Sequence, residues 1–513
     1  MITYIMRRLG TLFVILLGSS FILFNLTAIS GDPLADLRVS NAPNARQQIL
    51  ALTRNLQLDV PPPLRYFLWL KGILKGLTGH IDFGMTRQSQ PVVNSIATAV
   101  PVTIRLVFGA TVLAICLGLA IGIVTALRQY SRFDYVMTFI SFLMFSLPIF
   151  WVAVLLKQFL AIKFNDFLGN PLVTMSWVVG LSLASGIFWS AIIGGDRKKV
   201  WMIFGVAGIF TGSVIQILSS THWFLHPRLG PVVIFVLGVG LAFGITQLST
   251  GLSNRRALYA SVTVAAIGTI AYFPVQSVFE ANGRLLHFLL LAFVTFAIAV
   301  GVALLFSKID RGPIIRTTTL TSFFVAGLLV VDKFMRTWRP YMQTDAVNNR
   351  PVPTTGQVNS LLPPGSFWFT ALDILVHMFL PTIALMLISF AGYVRYSRGT
   401  MLDVLNQDYI RTARAKGLPE RTVIMRHAFR NTLIPLTTII VVDFASIIGG
   451  AIITENVFGW VGMGTLFRQA ITTFDLNLLM GVFLITGFLS VFANLVADLL
   501  YSVLDPRIRV GGG

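Results

Sequence analysis

Cysteine is nearly missing. Cys116 stands alone in the chain, which excludes an internal disulfide framework and leaves the redox compartment open. Charge is scarce too: Asp, Glu, Lys and Arg make up 12% of the 513 residues, against roughly 25% in soluble domains. The deficit is too large for a soluble surface, so most of the surface must face something apolar. Acidic residues are the scarcer kind, 20 against 39 basic ones, for a net charge of +19. In a soluble protein that balance would suggest nucleic acid. Here the basic residues sit in short links between apolar runs, no basic stripe with interleaved aromatics occurs, and no nucleic-acid partner is expected. No Gly-Lys dipeptide is present, which excludes a Walker-type phosphate loop in this chain, and no Gly-x-Ser-x-Gly nucleophile elbow occurs. His222 and His226, four apart, could share a helical face for a metal, but no Cys, Asp or Glu stands near them. An interfacial pair without metal is the favoured reading.

What is abundant is apolar sequence, 55% of the chain. Twelve runs approach the ~20 residues that cross a hydrocarbon core: 9–29, 106–127, 135–156, 171–194, 200–218, 229–248, 257–279, 285–306, 317–331, 374–394, 432–454 and 476–497. The run 317–331 is the weakest and needs help from 313–315. Within 106–127 Cys116 is the one ionisable group and reads as a small packing residue. Arg7 and Arg8 followed by an apolar run resemble a signal peptide, but no small-x-small cleavage site follows, so an uncleaved first helix is expected.

Charge placement tests the count. With Arg7 and Arg8 inside and the sides alternating, the inner links hold Arg128 and Arg132; Arg197, Lys198 and Lys199; Arg255 and Arg256; Lys308 and Arg311; the large 395–430 link; and the tail with Arg507 and Arg509. The outer links are mostly poorer in Lys and Arg, as the positive-inside rule requires, with 333–350 the long exception. The expected fold class is therefore an all-α, polytopic membrane protein of about twelve transmembrane helices with both termini cytoplasmic. Two outer segments, 31–99 and 333–365, are long enough for a folded cap or lid. Asn25, His377, Asp443, Asn494 and Asp498 lie within or near apolar runs, where polar groups usually face a bundle interior or a watery cavity. Asp443 and Asn494 are candidates to line a pathway; helix–helix hydrogen bonding is the competing reading. Pro148, Pro381 and Pro435 can kink their helices.

The 395–430 link differs from the others. Good helix formers run through Lys416, Gly417 can take a left-handed stop, and Pro419 beside Glu420 suits the first turn of a new helix. Ala413 and Ala415 are small enough for close approach. Six basic residues from Arg411 to Arg430 face one acid, Glu420. By these residues alone the link is either a knob for a cytoplasmic partner or a basic inner connection.

The spelling Asp408-Tyr409-Ile410-Arg411-Thr412-Ala413-Arg414-Ala415-Lys416-Gly417, followed by the block from His427 to Pro435, resembles the ATPase-docking motif of ABC-importer permeases of the dipeptide/oligopeptide/nickel class. Arg411-Thr412 stand where the general motif has Glu-Ala. Other blocks of that class are matched at Gly31-Asp32-Pro33, Leu56–Asp59, Ser146 to Trp151, Glu455 to Trp460, Gly462-Met463-Gly464 and Leu504 to Arg507. The resemblance covers about 1–160 and 365–510. It implies a six-helix type I permease core built from the first three and last three runs, with about six helices inserted. The implied parts are a first helix (1–30), an extracytoplasmic segment (31–99), core helices two and three (100–162), the insertion (163–340), an extracytoplasmic loop (341–370), core helices four to six (371–505) with a coupling loop at 399–430, and a cytoplasmic tail (506–513). It implies further that Asp408, Tyr409, Arg411, Ala413, Ala415, Gly417 and Arg426 dock an ATPase, and that the chain works with a second homologous permease subunit, two ABC ATPase subunits that carry ATP and Mg, and an extracytoplasmic substrate-binding protein, in a bacterial cell membrane. The transported solute would be a di- or oligopeptide, with glutathione or a nickel complex as other members of the class. An ion-coupled secondary transporter is the alternative from a different class.

Overall fold

A computed structural model describes residues 2–41, 43–79, 81–281, 285–307, 311–448 and 452–504. Among these residues there is no β-sheet; an isolated antiparallel bridge joins Met85 and Pro91. Each of the twelve apolar runs falls on helix, the geometry that satisfies every backbone N–H and C=O within one segment when no water is at hand. Eight described helices are long and apolar enough to cross a membrane, or ten if each of two bent pairs is one span. The runs 432–454 and 476–497 fall on Phe429–Ile448 with Ile452–Phe458 and on Leu476–Leu504; 449–451 lie outside the described residues.

The kink expected at Pro148 is present, and three other expectations are modified. The run 135–156 is not one straight helix: Arg132–Ser146 and Ile149–Gly169 are bent by 102°. Pro148 lacks an N–H and drives Leu147 out of the helical region, to φ −83 and ψ 129. The run 257–279 is bent by 49° between Arg255–Ile270 and Tyr272–Glu280, where Pro274 would set its ring against the Ile270 carbonyl in an unbroken helix. The weak run 317–331 lies inside a 32-residue helix, Arg311–Met342. Charge ends the apolar stretch there but not the helix, because Asp332 is fully buried and satisfied. Cys116 is exposed on the chain's surface and is not an interior packing residue.

The chain divides into two compact units, Met1–Gln158 with Thr354–Gln357 and Met378–Gly513, and Phe159–Pro353 with Val358–His377. In the first, the 31–99 segment folds into the short helices Ala35–Val39, Ala45–Asn55 and Pro62–Leu74. Leu34, Leu52 and Leu56 form a small core of their own, while Tyr66, Trp69 and Phe83 join Phe24, Met463 and Leu478 in a larger cluster. The Arg87 amide donates to the Asp475 carboxylate at 2.6 Å and its guanidinium pairs with Asp36 at 2.9 Å, so the segment is fastened to the start of Leu476–Leu504. Burial pushes the Asp475 carboxyl above its ordinary range. Gly118 and Gly122, four apart on Val92–Leu127, pack against Tyr393 and Ser397 of Phe367–Leu405, a small-xxx-small approach that brings two backbones close. The Ser397 hydroxyl donates to the Gly118 carbonyl at 3.1 Å.

In the second unit Asp332 is the polar hub. It accepts from the Leu229 and Gly230 amides at 2.7 and 3.0 Å and from the Tyr272 hydroxyl at 2.8 Å, so it caps the helix Gly230–Ser249. The Tyr341 hydroxyl donates to Asp373 at 2.8 Å, and Trp368 donates to the Phe279 carbonyl at 2.7 Å. The helix Arg197–Ser220 buries only Ser219 and turns Trp201, Met202, Val206, Ile209 and Phe210 outward. A face of that kind is stable in lipid and not in water.

Candidate functional site

The candidate site is the elbow between the long helix Phe367–Leu405 and the helix Phe429–Ile448. Asp408–Ala415 forms two turns of helix. Gly417, at φ +74, takes the left-handed position, and two bonds close the end: Gly417 N–H to the Arg414 carbonyl at 2.9 Å, and Leu418 N–H to the Ala413 carbonyl at 3.4 Å. This is a Schellman motif, and it needs a residue without a Cβ penalty at that point. Pro419 then stands extended, at ψ 137, just before the short helix Glu420–Thr422 rather than within its first turn. A π-helical turn, Val423–Ala428, leads into Phe429–Ile448.

The inner face of the elbow is apolar. Ile410, Ala413, Val423 and Ala428 are buried with Ala126 and Met401. Ala413 is packed within the chain's own cluster, whereas Asp408, Tyr409, Arg411, Ala415, Gly417 and Arg426 are exposed. Leu418 and Met425 are exposed apolar side chains on the same elbow. Glu420 is clamped across the bend by Arg414, which donates through Nε at 3.2 Å and Nη2 at 2.7 Å. The Arg414 guanidinium holds the Glu420 carboxyl below its ordinary range. Arg411 lies 3.7 Å from Asp408. Both acids are thereby neutralised, and Lys416, Arg426 and Arg430 make no ion pair among the described residues. The Asn431 amide donates to the Tyr409 hydroxyl at 3.0 Å and to the His427 carbonyl at 2.9 Å, locking the first short helix to the start of the next long one. The result is a rigid bend with an anchored apolar underside and a basic outer surface.

The family described as "Binding-protein-dependent transport system inner membrane component" matches residues 118–510 of the chain, a stretch that contains the whole elbow. The chain belongs to that family. This inner membrane component is 38% identical over 189 residues to the "Oligopeptide transport system permease protein OppB" of Mycobacterium tuberculosis (strain ATCC 25618 / H37Rv), covering 37% of the chain and 56% of that relative. It thus spans only about half the length of that protein. It is 45% identical over 141 residues to the "Oligopeptide transport system permease protein AppB" of Bacillus subtilis (strain 168), covering 28% of the chain and 45% of the relative. It is 25% identical over 511 residues to the "Dipeptide transport system permease protein DppB" of Alkalihalophilus pseudofirmus, covering 99% and 100%. Its family is one of membrane transport components, not of enzymes, and the component is a multi-pass membrane protein.

The pathway candidates of this inner membrane component are half-buried. Asp443 lies beside the buried Tyr393 hydroxyl, and the Asn494 amide donates to the Ser490 carbonyl of its own helix at 3.0 Å. Asn25 makes a similar intrahelical bond to Phe21. His377 contacts the Asp373 carbonyl at 2.8 Å. The Asp498 side chain lies outside the described residues. His222 and His226 fall in the turn after Arg197–Ser220 and not on a helical face, since His222 has φ +50. Among the described residues no group of three or more His, Cys, Asp or Glu gathers for a metal.

Two arrangements were missed by sequence reasoning. Arg398, on the helix leading to the elbow, donates through Nε and Nη2 to both oxygens of buried Asp134, at 2.9 and 3.0 Å. Ser131 and Asp134, three apart at a helix start, carry a legible capping signal, but nothing local points to Arg398. Glu455 is fully buried, held by the Thr103 hydroxyl at 2.7 Å and the Thr465 amide at 2.8 Å. The Thr103 hydroxyl oxygen in turn accepts from the Met463 amide at 2.8 Å. A side chain at Gly462 would collide with both Glu455 and Thr103.

Proposed function

We propose that this chain is a permease subunit of an ATP-driven importer for di- or oligopeptides, with twelve spans and both termini in the cytoplasm of a bacterium. It forms half of the translocation pathway beside a second, similar permease subunit. Two ATPase subunits carry ATP and Mg, and an extracytoplasmic binding protein delivers the solute. The observation that carries the reading is the elbow: a bend fixed by a Schellman closure, with an apolar underside anchored on the chain's own helices and a basic surface that presents Tyr409, Arg411, Ala415 and Gly417. The names of the relatives support the peptide class.

Coupling follows from rigidity. A partner that moves the elbow moves Phe367–Leu405 and Phe429–Ile448 with it, since Ile410, Ala413 and Val423 are packed at their ends. Docking drives transport only if the partner contacts the elbow differently in the two transporter states. Mild-detergent purification of the tagged chain from its native host, followed by uptake in proteoliposomes, tests the proposal. Co-purified Walker-motif subunits and ATP-dependent dipeptide uptake are expected. Uptake by the chain alone on an ion gradient would overturn it in favour of a secondary transporter.

A further inference from the structure

A cavity of about 410 Å³ opens between the 31–65 segment and the start of Leu476–Leu504, lined by Thr27, Asp32, Arg38, Thr53, Arg65 and Asn477 among others. Its volume lies in the range of small-ligand sites, about 300–1,000 Å³. One lining group is out of keeping with a solvent-filled crevice. Arg65 is 8% exposed, its Nε is sealed from water with no hydrogen-bond partner, and it makes no ion pair among the described residues. Its guanidinium lies 5.7 Å from the Phe24 ring centroid, which offsets only part of the cost of taking a cation out of water. The nearby acid does not complete it: the Asp32 carboxylate is engaged by the Leu34 amide at 2.9 Å and by Arg38 at 3.4 Å. Burial holds the Arg65 pKa below its ordinary value, yet a guanidinium stays protonated at any working pH.

We propose that this cavity is an oxyanion-binding site with Arg65 as its charge donor. The planar fork of Arg65 suits the two oxygens of a carboxylate or phosphate; Asn477 lines the same cavity, its amide donating to the Met85 carbonyl at 2.9 Å. The ligand is either a carboxylate-bearing solute of dipeptide size or a phosphate, free or on a lipid headgroup. The site acts without the elbow and without the ATPase, so it stands or falls apart from the importer reading.

The test uses the full chain in phosphatidylcholine nanodiscs at fixed ionic strength, with the unfolding midpoint read by tryptophan fluorescence. Probes are acetate, diglycine, diglycine amide and inorganic phosphate, with nanodiscs of phosphatidylglycerol as the lipid arm. A saturable rise in the midpoint with an oxyanion, absent with diglycine amide, is expected. Arg65→Gln should weaken the apparent affinity roughly 10- to 100-fold, while its midpoint without ligand stays level or rises, because an unpaired buried charge has gone. Arg65→Lys should keep binding in weakened form. A response to acetate and diglycine identifies a carboxylate, one to phosphate alone a free phosphate, and one to phosphatidylglycerol alone a headgroup; each supports the site. No saturable shift in the wild type with any soluble oxyanion together with no rise in phosphatidylglycerol nanodiscs, or an equal response in Arg65→Gln, would overturn it.

Discussion

Gly417, exposed at the bend, offers a way to perturb the backbone of the elbow without disturbing its packed underside. Its φ is +74, and a Cβ built there meets nothing within 4 Å. Substitution therefore costs backbone energy and no steric clash. For an ordinary L-residue the left-handed conformation costs about 1–2 kcal/mol, Asn less because it tolerates that region, and a β-branched residue more. The expected order of elbow stability is Gly, then Asn, then Ala, then Val. A cost of 1–2 kcal/mol corresponds to a local opening constant raised roughly 5- to 30-fold. Hydrogen exchange at the amides of residues 417 and 418, which close the turn on Arg414 and Ala413, reads that factor directly. Global stability should fall by no more than the same cost of about 1–2 kcal/mol, since the strain is relieved on unfolding and no packed contact is lost. If the elbow couples ATP hydrolysis to uptake, the ratio of solute moved to ATP hydrolysed should fall in the same order. Equal exchange in the Asn and Val variants would refute the left-handed argument. Graded exchange with unchanged coupling would refute the mechanical role of the elbow.

Two further outcomes follow. Asp134→Ala or Arg398→Ala alone should destabilise the chain by about 3 kcal/mol, the low end for breaking a buried pair because Arg398 keeps some solvent. The double variant should lose less than the sum, measured as a thermal double-mutant cycle in nanodiscs; strict additivity would sink the pair. Gly122→Ala should cost about 1–3 kcal/mol by overpacking, as its Cβ would sit 2.8 Å from the Val394 carbonyl, whereas Gly109→Ala, with nothing within 4 Å, should be neutral. Equal midpoints for the two would contradict the close approach of the helices.

Hydropathy placed the helices well because each span must satisfy its own backbone, and that demand is written in local sequence. Bends were less legible. Pro148 announced itself, but a proline can sit in a helix, as Pro381 does in Phe367–Leu405, and the 102° turn depends on Leu147 leaving the helical region. The apolar count also misjudged 317–331, because whether Asp332 ends a helix depends on Leu229, Gly230 and Tyr272, far away in sequence. At the elbow the Gly417 stop was readable from residue type. The burial of Ala413 was not: its neighbours Ala126 and Met401 lie on other helices, and small size alone does not say which way a residue faces. The Arg398–Asp134 and Thr103–Glu455 pairs were invisible for the same reason.

The central claim is that the exposed side of the 408–430 elbow is the ATPase contact. A photo-crosslinking residue placed at Tyr409 or Ala415, both exposed, should join the chain to a Walker-motif subunit in the native membrane. The same residue at Ile410, which is fully buried, should give no such product. Crosslinks to that subunit from elsewhere in the chain and none from Tyr409 or Ala415 would contradict the account.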